Sequence, residues 1–254
     1  MPHRFFVPAN WITPPTVTLA DDLARQIRLV LRLRPGDEIV ALDNSGAEFT
    51  VTLTEVGRTV QGQITGRRPA RAEPGLRLTL YQGTLKADKF EWVLQKGTEL
   101  GVARFVPTLC QRSVVRDRTA LAKKESRWAQ IIREAAEQSG RGRLPELAPP
   151  HSLAEALAAA ASHQLTLMPW EEAGQPPLKQ VLAGHNPADI GLFIGPEGGF
   201  APAEAEQARA AGAVPVSLGP RILRAETAAL AACAVLLYHF DEWDNRDQES
   251  GVRS

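Results

Sequence analysis

The sequence predicts an α/β chain in two parts: a small N-terminal β-barrel, and a larger domain built on a mostly parallel sheet. Three observations carry that expectation. Residues 1–70 hold short β-branched runs in partial alternation, separated by turn residues. Residues 66–75 combine proline, glycine and charge and lose every apolar period, so the boundary falls there. From Leu76 onward strand-like and helix-like stretches alternate, as expected of a parallel sheet with helices on both faces.

In chain order, a helix is predicted over 21–31, because Asp21 and Asp22 stand in its first turn and arginines follow, as the helix dipole favours. Arg34-Pro35-Gly36-Asp37 makes a turn, and strands follow at 38–42, 48–56 and 59–65. Beyond the linker come a strand at 76–82, a helix near 86–100 stopped by Gly101, a strand at 102–109 and a helix near 119–139. An alanine-rich helix covers 153–161, and short strands fall at 165–168, 190–194 and 214–218. A last helix, rich in small residues, runs to about Phe240, and 241–254 reads as a polar tail. The expected domains are therefore 1–70 and 75–240.

Composition narrows the function classes. The chain has 254 residues, 44% of them hydrophobic, which is enough for a sizeable core. No stretch approaches the ~18 consecutive apolar residues of a membrane span, and the N-terminus has no signal-peptide core, so the chain reads as cytoplasmic with no membrane partner. Cys110 and Cys233 are far apart and lack neighbours at ligand spacing, which argues against a disulfide framework and against a metal. Net charge is zero but uneven: +1 over 1–70, +6 over 71–150 and −7 over 151–254. The basic middle third points to a polyanion, since such binding follows local clusters rather than the total; solvated helix faces would give the same count.

Two glycine-bearing corners offer a small-molecule site. Gly195-Pro196-Glu197-Gly198-Gly199 follows an apolar strand and precedes a helix opened by Pro202 and Glu204. Leu218-Gly219-Pro220-Arg221-Ile222-Leu223-Arg224 does the same before the last helix. In open α/β sheets ligands sit at the carboxyl ends of strands, so two such loops point to one shared pocket. The spacing matches neither a P-loop nor Gly-x-Gly-x-x-Gly, which disfavours nucleoside triphosphates and dinucleotides. Arg221 and Arg224 can turn guanidinium groups to an anion while Ile222 and Leu223 line an apolar wall.

Five motifs occur in an order that resembles a known family: Gln95-Lys96-Gly97-Thr98-Glu99-Leu100-Gly101-Val102; Arg112-Ser113; Arg127-Trp128 with Glu134-Ala135-Ala136-Glu137-Gln138-Ser139 and Arg141; and the two glycine corners. The chain resembles the RsmE family, bacterial 16S ribosomal RNA uridine-N3 methyltransferases of the SPOUT superfamily. The matches span 86–228, and the N-terminal region looks like that family's PUA-like RNA-binding barrel. The resemblance implies S-adenosylmethionine as cofactor, a deep trefoil knot in the C-terminal domain, a homodimer with the active site at the subunit interface, and 16S rRNA or the small ribosomal subunit as partner. Carried onto this chain, the cofactor residues are Leu167, Met168, Gly195, Pro196, Gly199, Leu218, Gly219, Ile222 and Leu223. The expected RNA contacts are Arg4, Arg67, Arg68, Lys86, Lys96, Arg112, Arg116 and Arg141.

Methyl transfer from a sulfonium needs an oriented nucleophile, and uracil N3 carries a proton at neutral pH. Arg224, Arg221 and Glu197 are the first candidates to remove that proton or offset the developing charge. Two other readings fit the same residues: an RNA-binding assembly factor without catalysis, and a methyltransferase of the same superfamily acting on a ribose 2′-hydroxyl.

Overall fold

The structure, a computed structural model, describes residues 2–172 and 174–243. Most of the expected polar tail, from 244 on, lies outside the described residues. The chain divides into two compact units: one holds the chain up to Glu73 together with Arg133–Leu144, the other Pro74–Ile132 and the chain from Pro145 on.

The first unit is a six-stranded sheet of β1 (His3–Phe6), β2 (Ile12–Thr13), β3 (Thr16–Leu19), β4 (Glu38–Leu42), β5 (Ala47–Val56) and β6 (Val60–Pro69), in the order β1-β4-β5-β6-β3-β2. Only β1 with β4 is parallel. Alternation buries Val17, Leu19, Ile39, Ala41, Val51 and Leu53 on one face, closed by Ala24 and Ile27. Those two come from α1 (Asp21–Arg25) and the wider turn Gln26–Val30 that continues it, so the predicted helix at 21–31 is one short helix with a π-type ending. Register shifts between Thr50 and Val51 and between Leu53 and Glu55 bend the two longest strands.

The sequence assigns no strands before residue 38, yet β1, β2 and β3 all precede it, and β1 lies at the sheet edge with side chains completing it. Arg133 Nη1 donates to Phe6 O at 2.9 Å, and Glu137 Oε1 accepts the Phe6 N–H at 2.9 Å. An edge backbone left bare would be open to pairing with another chain. Burial pushes the Glu137 carboxyl above its ordinary value. Phe6, Val40 and Leu42 pack with Ala136 and Leu144, which is why residues 133–144 belong to this unit.

The second unit runs β7 (Arg77–Gly83), α2 (Ala87–Leu100), β8 (Arg104–Leu109), α3 (Arg118–Ala122), α4 (Glu125–Ser139, through Ile132), β9 (Glu146–Leu147), β10 (His151–Ser152), α5 (Leu153–Ala160), β11 (Leu165–Pro169), α6 (Leu178–Leu182), β12 (Asp189–Ile194), α7 (Pro202–Ala210), β13 (Val214–Val216) and α8 (Ala225–His239). Every recorded strand pair in this sheet is parallel, and its order is β10-β8-β7-β12-β11-β13, with β9 also on β8. The helix predicted at 119–139 is divided at Lys123 and Lys124 into α3, capped by Asp117, and α4.

Helices cover both faces. Leu78, Leu80, Ile190, Leu192 and Ile194 share one core with Val93, Leu94, Trp128, Leu182 and Cys233. Tyr81, Val106, Met168 and Phe193 share the other with Leu157, Ala205 and Ala208. Ala229, Ala232 and Cys233 are fully buried, and the small side chains of α8 let it pack closely on α2. Both thiols are inert: burial raises Cys110 and Cys233 to about 12.

Candidate active site

The parallel strands all point their carboxyl ends the same way, and three adjacent ones, β12, β11 and β13, release loops there. The loop after β12 is a tight turn in which the Gly199 N–H donates to Pro196 O at 2.9 Å. Gly199 has φ +68°, a left-handed backbone that calls for glycine. The loop then enters α7 through Pro202 at its first turn, with Glu204 Oε2 accepting the Ala201 N–H at 2.9 Å.

The loops after β11 and β13 are stitched together. Trp170 N–H donates to Val216 O at 3.0 Å, Ser217 N–H to Pro176 O at 2.9 Å, and Leu178 N–H to Ser217 O at 3.0 Å. Gly219, at φ +107°, turns the last loop toward α8, with its N–H on Ser217 Oγ at 3.1 Å. Together the three loops line a cavity of about 560 Å³ that opens to solvent, a volume in the range of cofactor pockets. Its walls are Pro169, Trp170, Glu171, Glu172, Gly174 and Gln175 from the β11 loop, residues 194–200 from the β12 loop, residues 217–226 with Ala228 from the last loop and α8, and Lys89 from α2.

Of the expected cofactor residues, Gly195, Pro196, Gly199, Leu218, Gly219, Ile222 and Leu223 line this cavity. Leu167 and Met168 do not: both are fully buried, on opposite faces of the sheet, and the cavity begins at Pro169. Trp170, Glu171 and Lys89 are wall residues that the sequence reading missed. The first two follow a strand end like the two corners, but only Pro169 adjoins them, and the glycine of that loop, Gly174, comes three residues later.

The charged walls are organised. Arg221 and Arg224 are exposed in the last loop, and Arg224 is the residue just before α8. Glu197 Oε1 accepts the Lys86 N–H at 3.1 Å at the start of α2, so a carboxylate meets the positive end of that helix. Lys89 Nζ and Glu226 Oε1 are 3.2 Å apart. Ile222 is 89% exposed, an apolar side chain standing free in a polar rim. The Trp170 indole N–H is buried without a partner.

The eight residues expected to meet RNA divide. In the first unit, Arg4 lies 2.6 Å from Glu48, Arg68 bonds the same carboxylate, Arg67 stacks over Phe49 at 5.5 Å, and buried Arg141 lies 3.0 Å from Glu73. In the second, Lys86 is exposed and Lys96 pairs with Glu99 at 2.8 Å. Arg112 donates to Gly198 O, and Arg116 to Ser113 O. Among the described residues, no cluster of three or more His, Cys, Asp or Glu could hold a metal ion.

A parallel sheet bearing a pocket at its strand ends has the build of a small-molecule-binding α/β protein, and the family comparison states which. The RNA methyltransferase domain family matches residues 72–237. The chain is 34% identical over 231 residues to the ribosomal RNA small subunit methyltransferase E of Bacillus subtilis, covering 88% of this chain and 90% of that one. The crystal structure of the Neisseria gonorrhoeae ribosomal RNA small subunit methyltransferase E bound to S-adenosyl methionine superposes with TM-score 0.84 at 34% identity, over 94% of this chain and 98% of that one. A Legionella pneumophila methyltransferase in complex with its bound cofactor SAM gives TM-score 0.85 at 32% identity, over 94% and 98% of the two chains. The chain belongs to the family of ribosomal RNA small subunit methyltransferase E.

Proposed function

We propose that this protein methylates 16S ribosomal RNA at N3 of a uridine, with S-adenosylmethionine as donor. The observation that carries the reading is the single cavity shared by the three loops, whose chemistry fits that cofactor. Gly195, Gly198 and Gly199 bring loop backbone to the cavity wall without side chains, and Leu218, Ile222 and Leu223 offer an apolar wall for an adenine. Glu171, Glu172 and Glu197 place carboxylates where a cationic ligand would be held.

When bound, S-adenosylmethionine supplies an electrophilic methyl group on a sulfonium. The chain's own residues then have two tasks: to hold the uracil in line with it, and to deal with the proton on N3. Glu197 takes up that proton, and Arg221 and Arg224 offset the negative charge left on the ring. All three line the one cavity.

Three further features belong to the same reading. The six-stranded sheet with its bulged long strands serves as a PUA-like barrel that grips RNA. The chain leaves the sheet edge at β13 and returns as α8 against α2, β7 and β12, a path that supports a knotted crossing beside the pocket. Helices α2 and α8 pack on one another yet leave Trp92, Val235 and Tyr238 in solvent, with Trp243 beside Tyr238, which supports burial against a second copy. No helix among the described residues is long and apolar enough to cross a membrane, and a ribosomal substrate puts the protein in the cytoplasm.

The deciding experiment incubates purified protein and S-adenosylmethionine with 16S rRNA or small subunits from cells lacking the enzyme, then digests the RNA for nucleoside mass spectrometry. The expected product is 3-methyluridine, lost with Arg224→Ala. A ribose-methylated nucleoside in its place would overturn the assignment.

A further inference from the structure

Two consecutive residues beyond β8 hold the 195–201 loop by different means. The Gln111 N–H donates to Glu204 Oε1 at 2.7 Å, while Glu204 Oε2 accepts the Ala201 N–H at 2.9 Å, so one buried carboxylate joins the two segments. Arg112 then reaches across: its Nη1 donates to Gly198 O at 3.0 Å and to Phe200 O at 3.3 Å. Those carbonyls flank Gly199, the residue that turns the loop at φ +68°. Gly198 permits the approach, because a Cβ there would stand 2.9 Å from Arg112 Cβ.

The platform presenting Arg112 is itself closed. Ser113 N–H donates to Cys110 O and Ser113 Oγ accepts the Cys110 N–H, both at 3.1 Å. Thr84 Oγ1 donates to Val115 O at 2.7 Å, and Arg116 Nε to Ser113 O at 3.0 Å. A guanidinium held on a fixed turn, with one nitrogen committed to two carbonyls of the pocket loop, is placed to shape that loop.

We infer that Arg112 is a positioning residue that sets the 195–201 loop in its cofactor-receiving form, in place of the phosphate contact its charge and motif would imply. The inference rests on the reading of the cavity as the cofactor site.

One nitrogen bridges both carbonyls, so a lysine ammonium can stand in for it, whereas methionine keeps the apolar stem and loses every donor. Full-length wild type, Arg112→Lys and Arg112→Met are compared in three measurements: amide hydrogen exchange over 195–201 without cofactor, calorimetric titration with S-adenosylmethionine, and steady-state methylation of 16S rRNA. Loss of a charge-assisted double contact should speed exchange in the loop and raise the KM for S-adenosylmethionine about tenfold. The KM for RNA and its salt dependence should stay as in wild type, and Arg112→Lys should restore most of the cofactor affinity.

Loop exchange in Arg112→Met equal to wild type would overturn the inference. So would a raised RNA KM with a shallower salt slope and unchanged cofactor affinity, the signature of a phosphate contact. Wild-type protein that gives no heat with S-adenosylmethionine would overturn the reading of the cavity and the role given to Arg112 with it, a result visible before any substitution is made.

Discussion

Gly83→Ala separates the need for space in this site from the need for unusual backbone. Gly83 ends β7, and a Cβ there would stand 2.4 Å from Pro196 N, 2.7 Å from Gly195 C and 2.8 Å from Pro196 Cδ. All three atoms belong to the pocket loop, two of them are backbone, and the shortfall from ordinary contact is about 1 Å. Alanine suits this backbone, so the whole cost comes from pushing the loop off the strand. Overpacking of that size costs about 1–3 kcal/mol in stability. A displacement of about 1 Å at a reacting site can cost roughly 100-fold in rate. The control is Gly212→Ala, where φ is +89° and nothing lies within 4 Å. It should lose about 1–2 kcal/mol through strained backbone and keep wild-type kinetics. Calorimetric melting and initial rates of methyl transfer read the two quantities separately. Wild-type kcat and cofactor affinity in Gly83→Ala would refute the claim that this contact fixes the loop.

Two further outcomes follow from named contacts. Tyr238→Glu puts a charge on the exposed apolar face of α8 and should shift the protein from dimer to monomer in sedimentation velocity; a wild-type monomer would sink the proposed pairing. The Glu155 carboxyl is held down to about 2, first by its hydrogen bond from Arg118 and then by Ser152. A folded value below the unfolded one means that its contribution is present above the ordinary carboxylate range and is lost as pH falls toward 2. In Arg118→Ala the side-chain carbon of Glu155 should titrate closer to 4.5 by NMR, and an unmoved midpoint would show that Arg118 is not the cause.

Glycine and proline made the two corners legible, because a chain that must turn sharply off a buried strand writes the turn in those residues. The third wall has its glycine and prolines spread from Pro169 to Pro177 rather than gathered into one corner. Trp170 and Glu171 reach the cavity because β11 ends at Pro169, and an apolar run alone does not say at which residue a strand stops. The parallel sheet could be read from alternation, but its order could not, since neighbours such as β7 and β12 lie over a hundred residues apart in sequence. The strands before residue 20, β1, β2 and β3, were hidden by their brevity and by Pro2, Pro8, Pro14 and Pro15. Charge was the least legible property of all: a list of basic residues does not reveal that Arg141 faces Glu73 or that Arg112 faces two carbonyls.

The side chains that close the edge of β1 bear on synthesis. Arg133, Ala136 and Glu137 complete the first unit, yet they are made more than sixty residues after its last strand ends at Pro69. Domains fold as units during synthesis, the N-terminal one first, at about 5–20 residues per second. Here the nascent first unit must wait, edge open, for several seconds at that pace, while β7, α2 and β8 emerge ahead of the helix that seals it. Translation speed between codons 70 and 144 is therefore a variable in how cleanly this chain assembles.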